Sequence, residues 1–435
     1  MSVIELKPSA NGLKGEIKVP GDKSISHRAV IFSSLAQGIS NITNFLTGED
    51  CMRTVEAFKQ MGVRIEQHGD QLTVHGKGID QLVEPVAPIN FGNSGTTARL
   101  MSGILAGLPL FTTAYGDASL SKRPMDRVVL PLREMGAKIE GRDSARLLPL
   151  AFSGQPLKGR THKLSVRSAQ VKSALLLAGM LADGQTTVIE LGKTRDHTEK
   201  LLPQFGVDIS VDGSSISIEG GQQLTAADLD VPGDISSAAF FIVAAALTPN
   251  SDVTIKGVGL NETRNGIVTA MEMMGAEIHS KVRKYVGDEP VGDVHVKTSK
   301  LKGITLEGEL IPNIIDEIPI LALAATQADG ATHIKDAEEL RVKETDRIAA
   351  VTENLKQLGA DVEAREDGMI IRGGSTLQGG TVNSFGDHRI GMMGAIASLI
   401  AEESVTIQDK DCINISYPTF FDDLNALQKK KNFID

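Results

Sequence analysis

FKQMGVRIE, residues 58–66, reads as the end of one element and the start of another. Apolar residues at the first and fourth positions sit one helical turn apart. Gly62 follows at once, and Val63 and Ile65 then alternate with polar neighbours. A helix closed by a left-handed glycine and a strand entered immediately after it would give this order. The pattern returns as LREMGAKIE at 132–140, LPQFGVDIS at 202–210, MEMMGAEIH at 271–279 and LKQLGADVE at 355–363. Its glycines, Gly62, Gly136, Gly206, Gly275 and Gly359, are 74, 70, 69 and 84 residues apart, a period that marks an internal repeat.

A second pattern recurs six times: a helix of small apolar residues, a short turn and a β-rich segment. SAQVKSALLLAGMLADGQTTVIEL, from Ser168, and DHRIGMMGAIASLIAEESVTIQD, from Asp387, are two of the copies. Helices apolar on nearly every side belong inside a domain. A third repeat places the boundary. Val19-Pro20-Gly21-Asp22 reappears 212 residues later as Val231-Pro232-Gly233-Asp234, about three repeats on. The chain is therefore expected to form two α/β halves of three repeats each: 21–234, and 1–20 with 235–435, with hinge crossings near 20 and 234. The sixth repeat ends at Lys429, Lys430 and Lys431 without a closing strand, which the stretch Ile4–Val19 could supply.

Composition narrows the function. At about 150 residues per domain, 435 residues would suggest three domains, but the repeats divide them into two. With no Trp and 4% aromatic residues, the core must be aliphatic and closely packed. The longest apolar run, Ala238 to Leu247, is half a membrane span, and the N-terminus lacks a signal peptide's apolar stretch. Two cysteines, Cys51 and Cys412, exclude a disulfide framework and suit a reducing cytoplasm. A net charge of −10 disfavours nucleic acid and anionic membranes as partners, so any anion must meet a local cluster of Lys and Arg.

Such clusters stand where the buried helices begin. Lys23-Ser24-Ile25-Ser26-His27-Arg28, Asn93-Ser94-Gly95-Thr96-Thr97-Ala98-Arg99 and Arg167-Ser168-Ala169-Gln170-Val171-Lys172 open the first three. Asp316-Glu317 opens the fifth, and Gly386-Asp387-His388-Arg389 the sixth. Helix N-termini offer free N–H groups and a positive dipole end to phosphate or carboxylate. Ordinary N-capping would account for Ser24, Ser26, Thr96 and Ser168. It leaves Lys23, Arg28, Arg99, Lys172 and Arg389 unexplained, and these point to anionic ligands. Loops ahead of the second helices add Lys122, Arg123 and Arg127, then Arg195, then Lys343, Glu344 and Arg347. No Walker A loop, HExxH zinc signature or GxSxG elbow occurs, and both cysteines read as structural.

The segments PGDKSISHRA, FGNSGTTARL, SKRPMDR, RSAQVKSALLLAG, TRDHTEK, IDEIPILA, LRVKETDRI and GDHRIGM closely resemble the 5-enolpyruvylshikimate-3-phosphate synthase family of enolpyruvyl transferases, in the family's order from residue 20 to about 394. The resemblance implies a two-domain inverse α/β barrel of six βαβαββ-type units, with buried helix N-termini facing an interdomain cleft. It implies the substrates shikimate 3-phosphate and phosphoenolpyruvate, addition–elimination through a tetrahedral intermediate, and no metal or organic cofactor; a monomer is expected. Ser24, Arg28, Ser168, Gln170 and Arg195 would hold shikimate 3-phosphate. Lys23, Gly95, Arg123, Lys343, Arg347 and Arg389 would surround phosphoenolpyruvate, with Asn93 also in substrate contact, and His388 would either hydrogen-bond the departing phosphate or only position Arg389. Asp316 would take the proton of the attacking hydroxyl, unless it merely caps the fifth buried helix. Either Glu344 or Lys23 would exchange the proton at the methylene carbon.

Three positions depart from some relatives: Ala169 in place of a Ser, Glu339 in place of an Asn, and Ile415 where a Lys contacts phosphoenolpyruvate, with Lys410 nearby. Two alternatives share the fold. A UDP-N-acetylglucosamine enolpyruvyl transferase usually has a Cys in the loop matching 116–124, and none stands here. A catalytically silent binding homologue would have lost Asp316, Glu344 or Lys23, and all three are present.

Overall fold

The computed structural model describes residues 2–9 and 11–428, so the expectation for Lys429–Lys431 lies outside the described residues. The five repeat glycines all adopt positive φ, between 78° and 103°. Each closes its helix with the same pair of hydrogen bonds. At the first, the Gly62 N–H donates to Lys59 O and the Val63 N–H to Phe58 O; at the last, Gly359 donates to Lys356 O and Ala360 to Leu355 O. This is the Schellman arrangement, in which a glycine takes the left-handed step and the next residue packs inward. The strands Arg64–His68, Lys138–Gly141, Ile209–Asp212, Glu277–Val286 and Asp361–Arg365 follow these turns.

Each repeat builds one small mixed sheet. In the second, Ile89–Asn90 runs parallel to Phe111–Tyr115, which pairs antiparallel with Leu147–Ser153, itself antiparallel to Lys138–Gly141. The first repeat borrows its parallel strand, Leu229–Asp230, from the far end of its own domain. The N-terminal stretch serves two sheets rather than one. Lys14–Ile17 lies parallel to Asp252–Gly259 in the fourth repeat, while Val3–Leu6 pairs antiparallel with Val405–Gln408 in the sixth.

Two compact units result. Gly21–Val231 and the short segment Val286–Glu289 form the N-terminal domain, and the rest of the described chain forms the C-terminal domain. Each has its own aliphatic core around three buried helices. We label these α1 (Lys23–Leu35), α2 (Gly95–Gly107) and α3 (Ala169–Met180) in the N-terminal domain. The C-terminal domain holds α4 (Ile235–Leu247), α5 (Ile318–Thr326) and α6 (His388–Ala397). Small residues let them approach closely. A Cβ on Gly103 of α2 would stand 2.1 Å from the carbonyl oxygen of Ala174 in α3, so only glycine fits that crossing. No helix among the described residues is long and apolar enough to cross a membrane.

Candidate active site

The Val-Pro-Gly-Asp repeat turns out to be a helix start. Asp22 accepts the Ile25 N–H at 2.9 Å and caps α1, and Asp234 accepts the Ser236 N–H at 2.8 Å and caps α4. Ser94 and Ser168 cap α2 and α3, and Asp387 caps α6. Capping therefore falls on Ser168 but not on Ser24, Ser26 or Thr96. Asp316 is not a cap either, because α5 begins after Glu317 and has no side-chain cap.

In the N-terminal domain Arg28, Arg99 and Arg123 are held by neutral groups and Lys23 by a carboxylate. Lys23 Nζ lies 3.2 Å from Asp50 Oδ2. Arg28 donates from Nε to Thr198 Oγ1 at 2.7 Å, from Nη2 to Ser173 Oγ at 2.7 Å, and from Nη1 to the Ser24 carbonyl at 2.9 Å. Arg123 is held by the side chain and carbonyl of Asn93 and by Ser119 Oγ, while Asn93 Nδ2 donates to Asp117. Gln170 accepts from Arg99 Nη1 at 2.7 Å and donates to Thr96 Oγ1 at 3.0 Å, which ties α3 to α2. Gly95 opens α2 beneath two guanidiniums. A Cβ there would stand 2.8 Å from Arg99 Nη1 and 3.4 Å from Arg123 Nη1. Burial lowers the Arg28 pKa to about 10, against the raising pull of Glu199, Asp22 and Glu289, and with Arg195 adding like-charge repulsion. Arg195 thus lies within the field of Arg28.

The C-terminal domain uses charge differently. Arg347, fully buried, donates from Nε to Asp387 Oδ2 at 2.8 Å, from Nη1 to Asp316 Oδ1 at 3.1 Å and from Nη2 to Glu344 Oε2 at 2.7 Å. Burial opposes its charge, yet these carboxylates together hold its pKa above the ordinary arginine value. Lys343 Nζ and Arg389 Nη2 stand 3.8 and 3.9 Å from the two oxygens of Asp316. Desolvation, and then Arg347, hold Lys343 below the usual lysine range despite Asp316. Asp316 and Glu344 remain 15% and 20% exposed at their side chains, so both can reach a ligand. His388, the first residue of α6, is buried.

Lys172 departs from its expected role. It is fully buried one turn into α3, with Nζ 3.0 Å from Glu190 and 2.6 Å from Glu199, so its charge is spent inside the protein. Burial first, against the pull of Lys172, raises the Glu199 pKa. Lys410 pairs with Asp411 at a partly exposed position beside Ser2, and Ile415 packs against the C-terminal core. Both cysteines are buried free thiols, and burial pushes Cys412 up to about 12, which fits a structural role. The partners Asp50, Ser173 and Thr198 had no reading of their own in the sequence.

Two α/β units of repeated sheets and buried helices, with guanidiniums and carboxylates near the helix starts, define the class of the fold. The chain belongs to the EPSP synthase (3-phosphoshikimate 1-carboxyvinyltransferase) family, whose pattern it matches over residues 8–424. It is 57% identical over 429 residues to the 3-phosphoshikimate 1-carboxyvinyltransferase of Oceanobacillus iheyensis, covering 99% of this chain and 100% of that one. It is 55% identical to the protein of that name from Bacillus subtilis, covering 96% of this chain and 98% of the relative. An EPSP synthase structure from Acinetobacter baumannii superposes with a TM-score of 0.88 at 42% identity, covering 98% of each chain.

Proposed function

We propose that the chain transfers the enolpyruvyl group of phosphoenolpyruvate to the 5-hydroxyl of shikimate 3-phosphate, releasing inorganic phosphate, in the biosynthesis of chorismate and the aromatic amino acids. Family membership supports the reaction. The observation that carries the chemistry is a pair of partly exposed carboxylates, Asp316 and Glu344, held on one buried guanidinium at 3.1 and 2.7 Å. The reaction needs two proton-transfer groups. One removes the proton of the 5-hydroxyl as its oxygen bonds to the vinyl carbon. The other delivers a proton to the methylene carbon, giving the tetrahedral intermediate, and takes one back as the C–O bond to phosphate breaks. Asp316 is assigned the first task. Glu344 is the candidate for the second, with Lys23 as the alternative.

Arg28, Ser24, Ser168, Gln170 and Arg195 would bind shikimate 3-phosphate. Lys23, Asn93, Gly95, Arg123, Lys343, Arg347, His388 and Arg389 would bind phosphoenolpyruvate or the phosphate it releases. Forked guanidiniums suit carboxylate and phosphate oxygens. The working form is read as a cytoplasmic monomer. The two buried free thiols support a reducing compartment, and one chain carries every assigned residue. Transfer to UDP-N-acetylglucosamine is not favoured, because the named relatives are 3-phosphoshikimate 1-carboxyvinyltransferases. The test is phosphate release on mixing the protein with verified shikimate 3-phosphate and phosphoenolpyruvate. Release no faster than in a protein-free control would sink the assignment.

A further inference from the structure

We propose that Ser173 and Thr198 are positioning residues for Arg28, a hydroxyl clamp that fixes the guanidinium plane while leaving its charge to the ligand. The inference rests on the assignment of Arg28 to shikimate 3-phosphate. Thr198 Oγ1 takes the Nε–H of Arg28, Ser173 Oγ takes one Nη2–H, and the two hydroxyl oxygens lie 2.7 Å from each other. Each hydroxyl accepts from the arginine, and one donates to the other, so the three groups close a ring. The Ser24 carbonyl takes one Nη1–H. A guanidinium has five N–H groups, which leaves one on each Nη. All three side chains of the ring are buried.

The choice of partner matters more than the number of bonds. Among the described residues, no carboxylate comes within ion-pair distance of Arg28, and Glu199, Asp22 and Glu289 act on it only through longer-range Coulomb attraction. Arg347 shows the opposite solution, with three carboxylates bonded to one guanidinium. A carboxylate on Arg28 would compete with the substrate's own oxygens, and its removal or displacement would carry a desolvation cost. Hydroxyls supply direction without charge. They come from two elements of the third repeat: Ser173 from α3 and Thr198 from the short helix His197–Leu201. Arg28 itself comes from α1 in the first repeat, so the clamp fixes a fork on one repeat by two points on another.

The test uses the full-length chain with both substrates. Thr198→Val keeps the shape and removes the hydroxyl, and Ser173→Ala removes a single oxygen. The expected result for each is a rise of roughly tenfold in KM for shikimate 3-phosphate, with KM for phosphoenolpyruvate within about twofold of the parent and kcat reduced less than KM rises. Thr198→Ser should restore the parent KM. A purely structural role predicts instead a lower melting midpoint with both KM values moving together, and that outcome overturns the clamp. Arg28→Lys separates the two layers of the argument. If it raises KM for shikimate 3-phosphate while Thr198→Val and Ser173→Ala do not, the clamp is wrong and the assignment of Arg28 stands. If Arg28→Lys leaves that KM unchanged, the assignment falls and takes the clamp with it.

Discussion

Arg347 Nε lies 2.8 Å from Oδ2 of Asp387, and both side chains are sealed from solvent. Asp387 also accepts the Arg389 N–H at 2.9 Å as the cap of α6. One carboxylate therefore fixes the start of a buried helix, the arginine that carries Asp316 and Glu344, and the backbone from which Arg389 projects. Asp387→Ala should destabilise the protein by about 3–5 kcal/mol for the broken buried pair, with about 1 kcal/mol more for the lost cap. Equilibrium denaturation measures this, and a loss under 1 kcal/mol would mean that Glu344 and Asp316 suffice to hold Arg347.

Asp316→Asn and Glu344→Gln keep the shape of their side chains and remove the ability to exchange a proton. Each should fold and lose about 10²- to 10⁴-fold in kcat, the usual weight of a general acid or base. Steady-state phosphate release decides it. A variant that turns over at near the parent rate is not a proton-transfer group in this reaction.

Lys172 separates a structural cation from a ligand-binding one. Lys172→Met would leave Glu190 and Glu199 facing each other in the core without their shared counter-charge. Stability should fall by about 3–5 kcal/mol. Molecules that remain folded should keep both KM values, because the ammonium is buried against Glu190 and Glu199. A selective rise in KM for either substrate at unchanged stability would reverse this reading.

How such roles read in sequence follows from what each residue does locally. The five glycines were legible because a left-handed helix cap depends on its immediate neighbours alone. Buried helices were legible because their apolar residues cover every side. Lys172 was not, since a basic residue one turn into such a helix looks the same whether it faces a ligand or a carboxylate 18 or 27 positions away, as Glu190 and Glu199 are. Ser173 and Thr198 gave no signal for a related reason. Serine and threonine are common in close-packed helices, and only the fold brings these two to Arg28. The N-terminal stretch could be matched to a missing strand, but its division between two sheets depends on the sheet edges left open by repeats four and six.

His27 links stability to pH. It is buried in α1 with Nδ1 2.7 Å from Thr54 Oγ1, and burial, then Lys23 and Arg28, hold its pKa well below 6.5. The unfolded chain binds a proton here below about pH 6.5, and the folded chain does not. Stability from this group is therefore complete above that pH and falls as the pH drops toward the depressed folded value, by at most about 1.4 kcal/mol per pH unit. His27→Gln should remove this part of the acid sensitivity. Unfolding free energies of parent and variant, compared between pH 7.5 and 5.5, should differ in slope in that direction. Parallel slopes would show that His27 is protonated in the folded protein.

Gly95 tests whether the two guanidiniums above α2 are ligand-binding groups. An added Cβ would lie 2.8 Å from Arg99 Nη1 and 3.4 Å from Arg123 Nη1, and both atoms are the far ends of flexible side chains. The helix has no positive φ at this position, so Gly95→Ala strains no backbone and should fold with near-parent stability. The forks must give way instead. Arg123 is assigned to phosphoenolpyruvate, while Arg99 is bonded to Gln170, which is assigned to shikimate 3-phosphate. The expected result is a rise of roughly three- to tenfold in KM for phosphoenolpyruvate, the scale of about 1 kcal/mol, with a smaller change for shikimate 3-phosphate. If the larger effect falls on shikimate 3-phosphate, the mouth of α2 belongs to the other substrate, and the assignments of Gly95 and Arg123 exchange with it.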